Sequence, residues 1–223
     1  MSASIAAHPD RLLPADPGTR SIARSLLALV EDLPILSPHG HVDARVLANN
    51  TPFPNPTELL ISPDHYVTRL LHANGIGLSD LGVGPTDVDP RESWRIFCRN
   101  WPLYDGTASG YWLRSAFVNV FGIDDALIDD EHADEVYDRL QSVLKGPDFR
   151  PRQLFERFGL EVLATTDDPL DDLDAHACLA ADPTFTGRVV PTFRPDAYVK
   201  FHGAGFAEKA QRLIDTAADG ATG

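Results

Sequence analysis

The chain has 223 residues, of which 43% are hydrophobic, and its 33 acidic and 19 basic residues give a formal net charge of −14. This length and apolar content allow one medium domain or two small ones with a packed core. The acidic balance argues against nucleic acid and anionic membranes as partners, because both are bound by clustered Lys and Arg, and it requires local arginines for any anionic substrate.

The first predicted element is a helix that follows a lead rich in Pro and Gly. Ser21 is the expected N-cap, and the apolar residues after it recur at helical spacing. These apolar residues are Ile22, Leu26, Leu27 and Val30. One helix therefore precedes the first strand.

The next element, residues 33–43, ends in two histidines separated by one glycine. We expect a buried strand that carries a metal site at its exit. In an extended chain His39 and His41 point to the same side, while Gly40 leaves room for close packing. Two imidazoles suit a divalent metal, although catalytic zinc takes three protein ligands and at least one more must come from elsewhere. The alternative is a pair of ordinary polar residues where a strand becomes a turn, because Pro38 and Gly40 also form turns.

Residues 45–158 are predicted to form a helical insertion. Asp64 is the expected N-cap of one helix, and Asp89-Pro90 is the expected start of another. Three further helices are expected around apolar residues at helical spacing, in the runs 112–121, 136–144 and 154–158. Connections in α/β units are usually only a few residues long, so an excursion of this size should have its own packing and its own task.

Aromatic residues are concentrated in this insertion. They could face a sugar, but their helical spacing is more typical of a hydrophobic core. The cluster consists of Trp94, Trp101, Tyr104, Tyr111 and Trp112. His72 and His176, on predicted helices, are expected to be structural rather than metal ligands.

From residue 160 the pattern becomes regular, with strands predicted at 160–165 and 188–193, each followed by a helix. The order β-α-β-α implies parallel strands with helices outside. In a parallel barrel the chemistry lies where strands exit into loops. Polar residues follow all three strands here: His39 and His41, then Thr166, Asp167 and Asp168, then Arg194 and Asp196. Asp168-Pro169 is equally explained as a helix N-cap with Pro at the first helical position.

The sequence thus divides into a helix and first strand (1–44), the helical insertion (45–158) and a βαβα segment (159–223). An eight-stranded barrel needs about 250 residues without large insertions, whereas this chain offers three strands. The expected fold class is α/β, as the N-terminal part of a (β/α)8 barrel in a longer protein. A barrel cut after its third strand has an unpaired edge and exposed apolar faces, so the isolated chain is expected to aggregate or fold poorly.

The two cysteines and the N-terminus bear on location. Cys98 and Cys178 show no ligand-type spacing, which predicts core thiols in a reducing compartment, with the cytoplasm as the default. Residues 1–11 lack the pattern of an export signal, and no stretch approaches the ~20 apolar residues of a membrane span.

Four motifs occur in order along the chain: His39-Gly40-His41-Val42-Asp43, Asp64-His65-Tyr66-x-x-Arg69, Thr165-Thr166-Asp167-Asp168-Pro169 and Phe193-Arg194-Pro195-Asp196. Together they resemble the uronate isomerases, also called glucuronate isomerases, which are divergent members of the metal-dependent amidohydrolase superfamily. The resemblance runs from about Ile22 to the C-terminus. Members of this family have about twice the length of this chain, in agreement with the missing strands.

The resemblance implies a distorted (β/α)8 barrel of the metal-dependent hydrolase type. It also implies an enzyme of hexuronate catabolism that interconverts D-glucuronate with D-fructuronate, and D-galacturonate with D-tagaturonate. In such a reaction a divalent metal polarises the carbonyl and the adjacent hydroxyl, and a base moves a proton between C2 and C1 through an enediol. The expected cofactor is zinc, with manganese as the alternative, and the expected partner is a small hexuronate.

The motifs of the family carry over residue by residue. His39 and His41 match its metal-binding pair. Tyr66 matches a catalytic tyrosine that contacts the reacting part of the substrate, with His65 beside it as a substrate-binding residue. Arg194 matches an arginine that binds the sugar acid, and its planar fork of donors suits a carboxylate.

Two departures from the family pattern matter. Ser37 stands where many relatives have an aspartate, two residues before the first histidine. The aspartate that serves the family as metal ligand and catalytic base belongs to the C-terminal half, and nothing here stands for it. This chain alone is therefore expected to be inactive. Asp196 would either orient Arg194 or cap the following helix.

Two other functions remain open from the sequence. One is a metal-dependent hydrolase of the same superfamily, in which the metal activates water. The pair His65-Tyr66 and Arg194 favour the isomerase, because a hydrolase does not require this carboxylate clamp. The other is a non-catalytic α/β module whose histidines bind nothing.

Overall fold

The computed structural model describes residues 8–220, with side chains described through residue 218. The chain divides into two compact units. The helical unit comprises Met1–Asp32 and Pro52–Arg150, and the sheet unit comprises Leu33–Thr51 and Pro151–Gly223. The expected lack of an export signal in residues 1–11 falls largely outside the described residues.

Eleven α-helices and three strands are assigned within residues 8–220. The helices are α1 (Pro17–Leu27), α2 (Ala44–Asn49), α3 (Pro56–Leu60), α4 (His65–Ala73), α5 (Pro90–Arg99), α6 (Ala108–Ser115), α7 (Ala133–Leu144), α8 (Pro151–Arg157), α9 (Asp174–Ala181), α10 (Asp196–Val199) and α11 (Phe206–Gly220). The strands are β1 (Ile35–Ser37), β2 (Leu160–Ala164) and β3 (Arg188–Val190).

The boundaries of the two units differ from the predicted division at residues 44 and 158. The predicted insertion contains α2 and α8, which belong to the sheet unit. The reason is packing: Ala44 and Leu47 of α2 and Phe155 of α8 are buried in one cluster with Leu163 of β2. The helical unit is also discontinuous, because α1 belongs to it although β1 and α2 follow α1 in sequence.

The core of the helical unit is built on aromatic rings. Trp94, Phe97 and Phe117 are completely buried, and the Trp94 and Phe97 ring centroids lie 5.4 Å apart. Tyr104 is also buried, and its hydroxyl donates a hydrogen bond to the carbonyl of Val67 at 2.8 Å. Burial raises the pKa of Tyr104 above its ordinary value, because the phenolate would lose its hydration. The predicted assignment to a core is confirmed for Trp94, Trp101 and Tyr104, whereas Tyr111 is only partly buried and Trp112 is exposed.

Aspartates cap three helices of this unit, α1, α4 and α5. Asp64 accepts a hydrogen bond from the Tyr66 amide at 2.8 Å, and Asp89 accepts one from the Arg91 amide at 2.9 Å, which confirms both predicted N-caps. The predicted cap at Ser21 is wrong: α1 begins earlier, where the Asp16 carboxylate accepts from the Thr19 amide. Pro17 then occupies the first helical position, for which its fixed φ is suited.

The sheet unit contains an open parallel sheet of order β1-β2-β3. The predicted parallel pairing is confirmed, but the predicted burial of β1 is wrong, since Ile35 is 49% and Leu36 is 61% exposed. Within the described residues β1 is an edge strand that pairs with β2 only, so nothing covers its outer side.

Arg152 of α8 forms hydrogen bonds with α2 and with the residue that follows α9. Its guanidinium donates to the carbonyls of Leu47 at 2.8 Å and Ala48 at 3.1 Å, and to the Asp182 carboxylate at 2.6 Å. Asp182 also accepts from the Thr184 hydroxyl at 2.6 Å. The Thr184 hydrogen bonds, followed by Arg152, lower the pKa of Asp182 to about 2.

This ion pair predicts a pH-dependent stability difference between the native protein and Asp182→Asn. Because the folded pKa is depressed, the ionised carboxylate stabilises the native state above the unfolded value of 3.8, and this contribution is lost as pH falls toward 2. Urea unfolding should show Asp182→Asn as the less stable protein at pH 5, with the two curves converging near pH 2. A constant difference across this range would show that the carboxylate contributes nothing through its charge.

A second prediction concerns Gly110 in α6. A Cβ at this position would lie 2.1 Å from the Tyr104 carbonyl oxygen, which is backbone and cannot move aside cheaply. Gly110→Ala should therefore lower the free energy of unfolding by about 1–3 kcal/mol or more. Gly18→Ala in α1 is the matched control. Its Cβ would lie 3.3 Å from Oδ2 of Asp16, which belongs to a side chain and has to shift by only a few tenths of an ångström, so Gly18→Ala should change the free energy of unfolding far less than Gly110→Ala.

The two cysteines have different environments. Cys98 is buried in the helical unit, and burial raises its pKa above the ordinary thiol value. Cys178 is exposed on α9, so the prediction of two core thiols is wrong for this residue. Its neighbours Leu179 and His176 supply the buried face of that helix.

Candidate functional site

His39 and His41 lie just beyond β1, in the irregular segment between β1 and α2. They are therefore at the exit of the strand, as predicted, but outside its regular part. Both side chains are exposed, and their ring centroids are 4.9 Å apart with the planes nearly perpendicular. The two imidazoles are thus adjacent and accessible.

The separation of the two rings can be compared with that of a zinc site. An imidazole nitrogen about 2 Å from zinc places its ring centroid about 3.2 Å from the ion, and a tetrahedral angle then separates two centroids by about 5 Å. The observed 4.9 Å fits this distance. Among residues 8–220, however, no group of three or more His, Cys, Asp or Glu side chains could hold a metal ion. The separation of the rings is thus that of two imidazoles on one ion, and the described residues place no third ligand with them.

A cleft of about 240 Å³ opens beside His41 in the sheet unit. It is lined by His41, Val42, Asp43, Arg45, Thr165, Thr166, Asp167 and Asp171. Asp43 caps α2 by accepting from the Arg45 amide at 2.8 Å and forms an ion pair with the Arg45 guanidinium at 2.7 Å. This hydrogen bond to Arg45 holds the pKa of Asp43 below its ordinary value, so a carboxylate and a guanidinium both border the cleft.

The segment after β2 makes polar contacts with the segment after β1, with the segment after β3 and with α9. Thr166 donates its hydroxyl to the carbonyl of Gly40 at 2.5 Å. Asp167 accepts from the Thr165 hydroxyl at 2.6 Å and from the Thr192 amide at 3.2 Å. The Thr165 oxygen also lies 2.7 Å from Nε2 of His176. His176 is 8% exposed, so the prediction that it is a structural residue agrees with its position.

Arg194 follows β3 and is exposed at the surface of the sheet unit. Its Nε donates to the Asp196 carboxylate at 2.7 Å, and this hydrogen bond lowers the pKa of Asp196. Asp196 makes no side-chain cap of α10, which begins at this residue. Of the two roles considered for Asp196, contact with Arg194 is therefore the one observed. Arg194 is not among the residues that line the cleft beside His41.

The turn at Asp168-Pro169 does not start a helix. Asp168 accepts from the Leu170 amide at 3.0 Å, but α9 begins only at Asp174, after Leu173 in a left-handed conformation with φ 56°. The N-cap explanation of this turn is thus wrong. Asp168 instead accepts a hydrogen bond from the Tyr198 hydroxyl at 2.8 Å, which joins the segments after β2 and β3.

His65 and Tyr66 form the first turn of α4 in the helical unit. Their ring centroids are 4.1 Å apart, and Tyr66 is 44% exposed. The guanidinium of Arg69 lies over the Tyr66 ring at 4.6 Å, which brings a cation to this aromatic surface. The Trp112 ring is nearly perpendicular to that of Tyr66, with the ring centroids 5.9 Å apart, and Trp112 is 40% exposed. Trp112 is thus an exception to the predicted aromatic core, and its exposure beside Tyr66 was not visible in the spacing.

The predicted site residues therefore fall on two units. His39, His41 and Arg194 belong to the sheet unit, and His65 and Tyr66 belong to the helical unit. Sequence reasoning missed the contacts of Thr165 and Thr166. No local signal could have revealed the contact of Thr166, because Thr166 and Gly40 are 126 positions apart.

No described helix in residues 8–220 combines the length and the apolar character that a membrane crossing requires.

The sequence profile of the glucuronate isomerases matches residues 19–220 of this chain. The chain belongs to the glucuronate isomerase family. Among curated relatives, the uronate isomerase of Corynebacterium efficiens is 62% identical over 224 residues, which cover 100% of this chain and 48% of the relative. That of Corynebacterium glutamicum is 60% identical, with 100% of this chain and 44% of the relative covered. The chain thus spans under half the length of these family members.

Solved structures of the glucuronate isomerase family share the observed fold. The glucuronate isomerase of Caulobacter crescentus superposes with a TM-score of 0.89 at 43% identity, covering 95% of this chain and 45% of that one. The uronate isomerase of Thermotoga maritima gives a TM-score of 0.80 at 28% identity, covering 92% and 43%. The predicted resemblance to this family is confirmed.

Proposed function

We propose that this chain is part of a uronate isomerase that interconverts D-glucuronate with D-fructuronate, and D-galacturonate with D-tagaturonate. The observation that carries the proposal is the pair of adjacent, exposed imidazoles, 4.9 Å apart, in a chain that belongs to the glucuronate isomerase family. The relatives support a longer protein, since the chain covers 48% and 44% of the two Corynebacterium sequences. In that protein the three parallel strands would be part of a (β/α)8 barrel of the amidohydrolase superfamily.

His39 and His41 would hold a divalent metal, with zinc expected first and manganese second. When bound, the metal supplies Lewis-acid polarisation of the substrate carbonyl and its adjacent hydroxyl, which makes the C2 proton more acidic. The two histidines would donate neutral nitrogens, and their exposure leaves room for ligands from other parts of the protein. The base that moves the proton between C2 and C1 is expected outside this chain, so the chain alone should not turn over substrate.

Arg194 would bind the carboxylate of the sugar acid. Its guanidinium offers a planar fork of donors, which matches a carboxylate in a bidentate arrangement. Nε of Arg194 donates a hydrogen bond to the Asp196 carboxylate at 2.7 Å, and this contact orients the guanidinium. In a chain of net charge −14, such a local cation is needed to hold an anionic substrate.

His65 and Tyr66 would contact the substrate at its reacting end. The two adjacent rings, tilted by 35°, and the Arg69 guanidinium over Tyr66 offer a polar aromatic surface of the type that binds sugars. A hexuronate is the only class of partner that this proposal requires. The proposed location is the cytoplasm.

The proposal is tested with a fusion in which this chain is followed by the C-terminal part of the Corynebacterium efficiens relative. We expect the fusion, but not the chain alone, to form ketose from D-glucuronate. Arg194→Met should raise KM by about ten- to a hundred-fold, since a hydrogen bond to a charged group contributes about 1.5–3 kcal/mol. The KM of Arg194→Lys should lie between those of the unsubstituted fusion and Arg194→Met, because lysine keeps the charge and lacks the planar fork of donors. A fusion that forms no ketose from either hexuronate would overturn the proposal.

A further inference from the structure

We propose that residues 165–167 are a positioning segment that holds the metal-binding histidines and the substrate-binding arginine through two separate contacts. Thr166 positions His39 and His41, and Asp167 positions Arg194. This inference rests on the proposed function and adds to it two residues that touch neither metal nor substrate.

The first contact runs from Thr166 to the segment after β1. The Thr166 hydroxyl donates to the Gly40 carbonyl at 2.5 Å. Gly40 lies between His39 and His41, so the bonded peptide group is part of the backbone that carries both imidazoles. A Cβ on Gly40 would lie 3.4 Å from the Ala164 carbonyl oxygen, which shows how closely this backbone approaches β2. The segment has no strand hydrogen bonds beyond Ser37, and Thr166 supplies a fixed point there.

The second contact runs from Asp167 to the segment after β3. Its amide donates to the Thr192 carbonyl at 3.2 Å, and its carbonyl accepts from the Arg194 amide at 3.1 Å. The Asp167 carboxylate accepts from the Thr192 amide at 3.2 Å. Main chain and side chain of one residue thus set the position of the backbone that leads into Arg194. Asp196 then orients the guanidinium itself.

Buried groups fix the orientation of the Asp167 carboxylate. The Thr165 hydroxyl has one proton, and its two oxygen acceptors are the Asp167 carboxylate at 2.6 Å and the Val190 carbonyl at 3.3 Å. The short contact to the charged carboxylate is the stronger of the two. With the proton directed to either oxygen, the Thr165 oxygen accepts from His176, so we assign the hydrogen to Nε2 of His176, which lies 2.7 Å away. Nδ1 of His176 is buried and has no hydrogen-bond partner among the described residues. The hydrogen bonds therefore run in one direction, from His176 through Thr165 to Asp167.

The two contacts make different predictions, which the fusion described above can separate. Thr166→Val removes the hydroxyl and should weaken zinc affinity by about 10- to 100-fold, the cost typical of losing a supporting contact behind a ligand. Thr166→Ser keeps the hydroxyl and should bind zinc normally. With saturating zinc, neither variant should change KM for D-glucuronate. Zinc affinity is measured by competition with a chromophoric chelator, without reference to turnover.

Asp167→Ala removes the acceptor for Thr192 and should raise KM for D-glucuronate by about tenfold, with zinc affinity unchanged. Asp167→Asn keeps one acceptor oxygen and should lie nearer the native value. If Thr166→Val and Asp167→Ala change zinc affinity and KM together, or change neither, the inference is overturned while the proposed function stands. An unsubstituted fusion that binds no zinc and forms no ketose would overturn the proposed function, and the inference with it.

Discussion

Replacing Trp94 with alanine is expected to lower the free energy of unfolding by about 3–5 kcal/mol, the range for removing a fully buried large aromatic ring. Trp94 is 0% exposed and packs against Phe97, Phe117 and Tyr137. Its indole Nε1 donates to the Ala133 carbonyl at 2.8 Å, so α5 is joined to α7 by both packing and a hydrogen bond. Domains of this size are stable by only about 5–15 kcal/mol, so the loss is a large share of the total.

Two control variants separate packing from other effects of losing a tryptophan. Trp94→Phe keeps an aromatic ring in the cluster and should lower the free energy of unfolding clearly less than Trp94→Ala does. Trp112→Ala removes a tryptophan that is 40% exposed, and should cost about 1 kcal/mol or less. Urea unfolding of the fusion, followed by circular dichroism, gives all three values. Equal losses at Trp94 and Trp112 would contradict the assignment of Trp94 to the centre of the helical core.

Local chemistry explains which elements were predictable. An aspartate before a proline or an apolar helical run predicts an N-cap, and this was right at Asp64 and Asp89 because the capping hydrogen bond reaches only two residues along the chain. The N-cap of α1 was instead placed at Ser21, because the apolar residues at helical spacing begin only at Ile22, although Asp16 before Pro17 carries the same signal as Asp89 before Pro90. Strand β2 was predictable from its apolar run, and its parallel partner β3 from the helix between them.

Non-local packing explains what the sequence could not show. The short helices α2 and α3, of six and five residues, carry too few apolar positions to reveal a period. Burial of β1 depends on neighbours on both sides of the strand, and the described residues supply one. Trp112 and Trp94 each lie at helical spacing from other apolar residues. Trp112 is nevertheless exposed beside Tyr66, whereas Trp94 is completely buried. Only the three-dimensional arrangement separates them.

The candidate site divides in the same way. The backbones of His39 and His41 must be close because only Gly40 separates them, whereas the 4.9 Å between their rings also depends on the directions of the two side chains. The contact between Arg194 and Asp196 is local for the same reason. The hydrogen bonds of Thr166 to Gly40 and of Asp167 to Thr192 join segments that are distant in sequence, and the motif gave no indication of them. A sequence motif thus predicts which groups can do the chemistry, while the contacts that position them come from the fold.

The second large effect is expected at the histidine pair. His39→Ala and His41→Ala, made singly in the fusion, should each weaken zinc affinity by about a hundred-fold or more, because losing even a supporting contact behind a ligand costs about 10- to 100-fold. Isomerase activity should fall at least as far, since a Lewis-acid metal supplies several kcal/mol and 1.36 kcal/mol is a factor of ten in rate. Equilibrium dialysis measures the binding, and ketose formation from D-glucuronate measures the rate.

His202→Ala is the matched control, since His202 is an exposed histidine of the same unit that has no place in the proposed site. It should leave zinc uptake unchanged. The double variant of His39 and His41 supplies a further check. If both nitrogens bind one ion, the second substitution should add little to the first, because residues that act as a unit are strongly non-additive. Two independent and additive losses would mean that the rings, although 4.9 Å apart, do not share a metal.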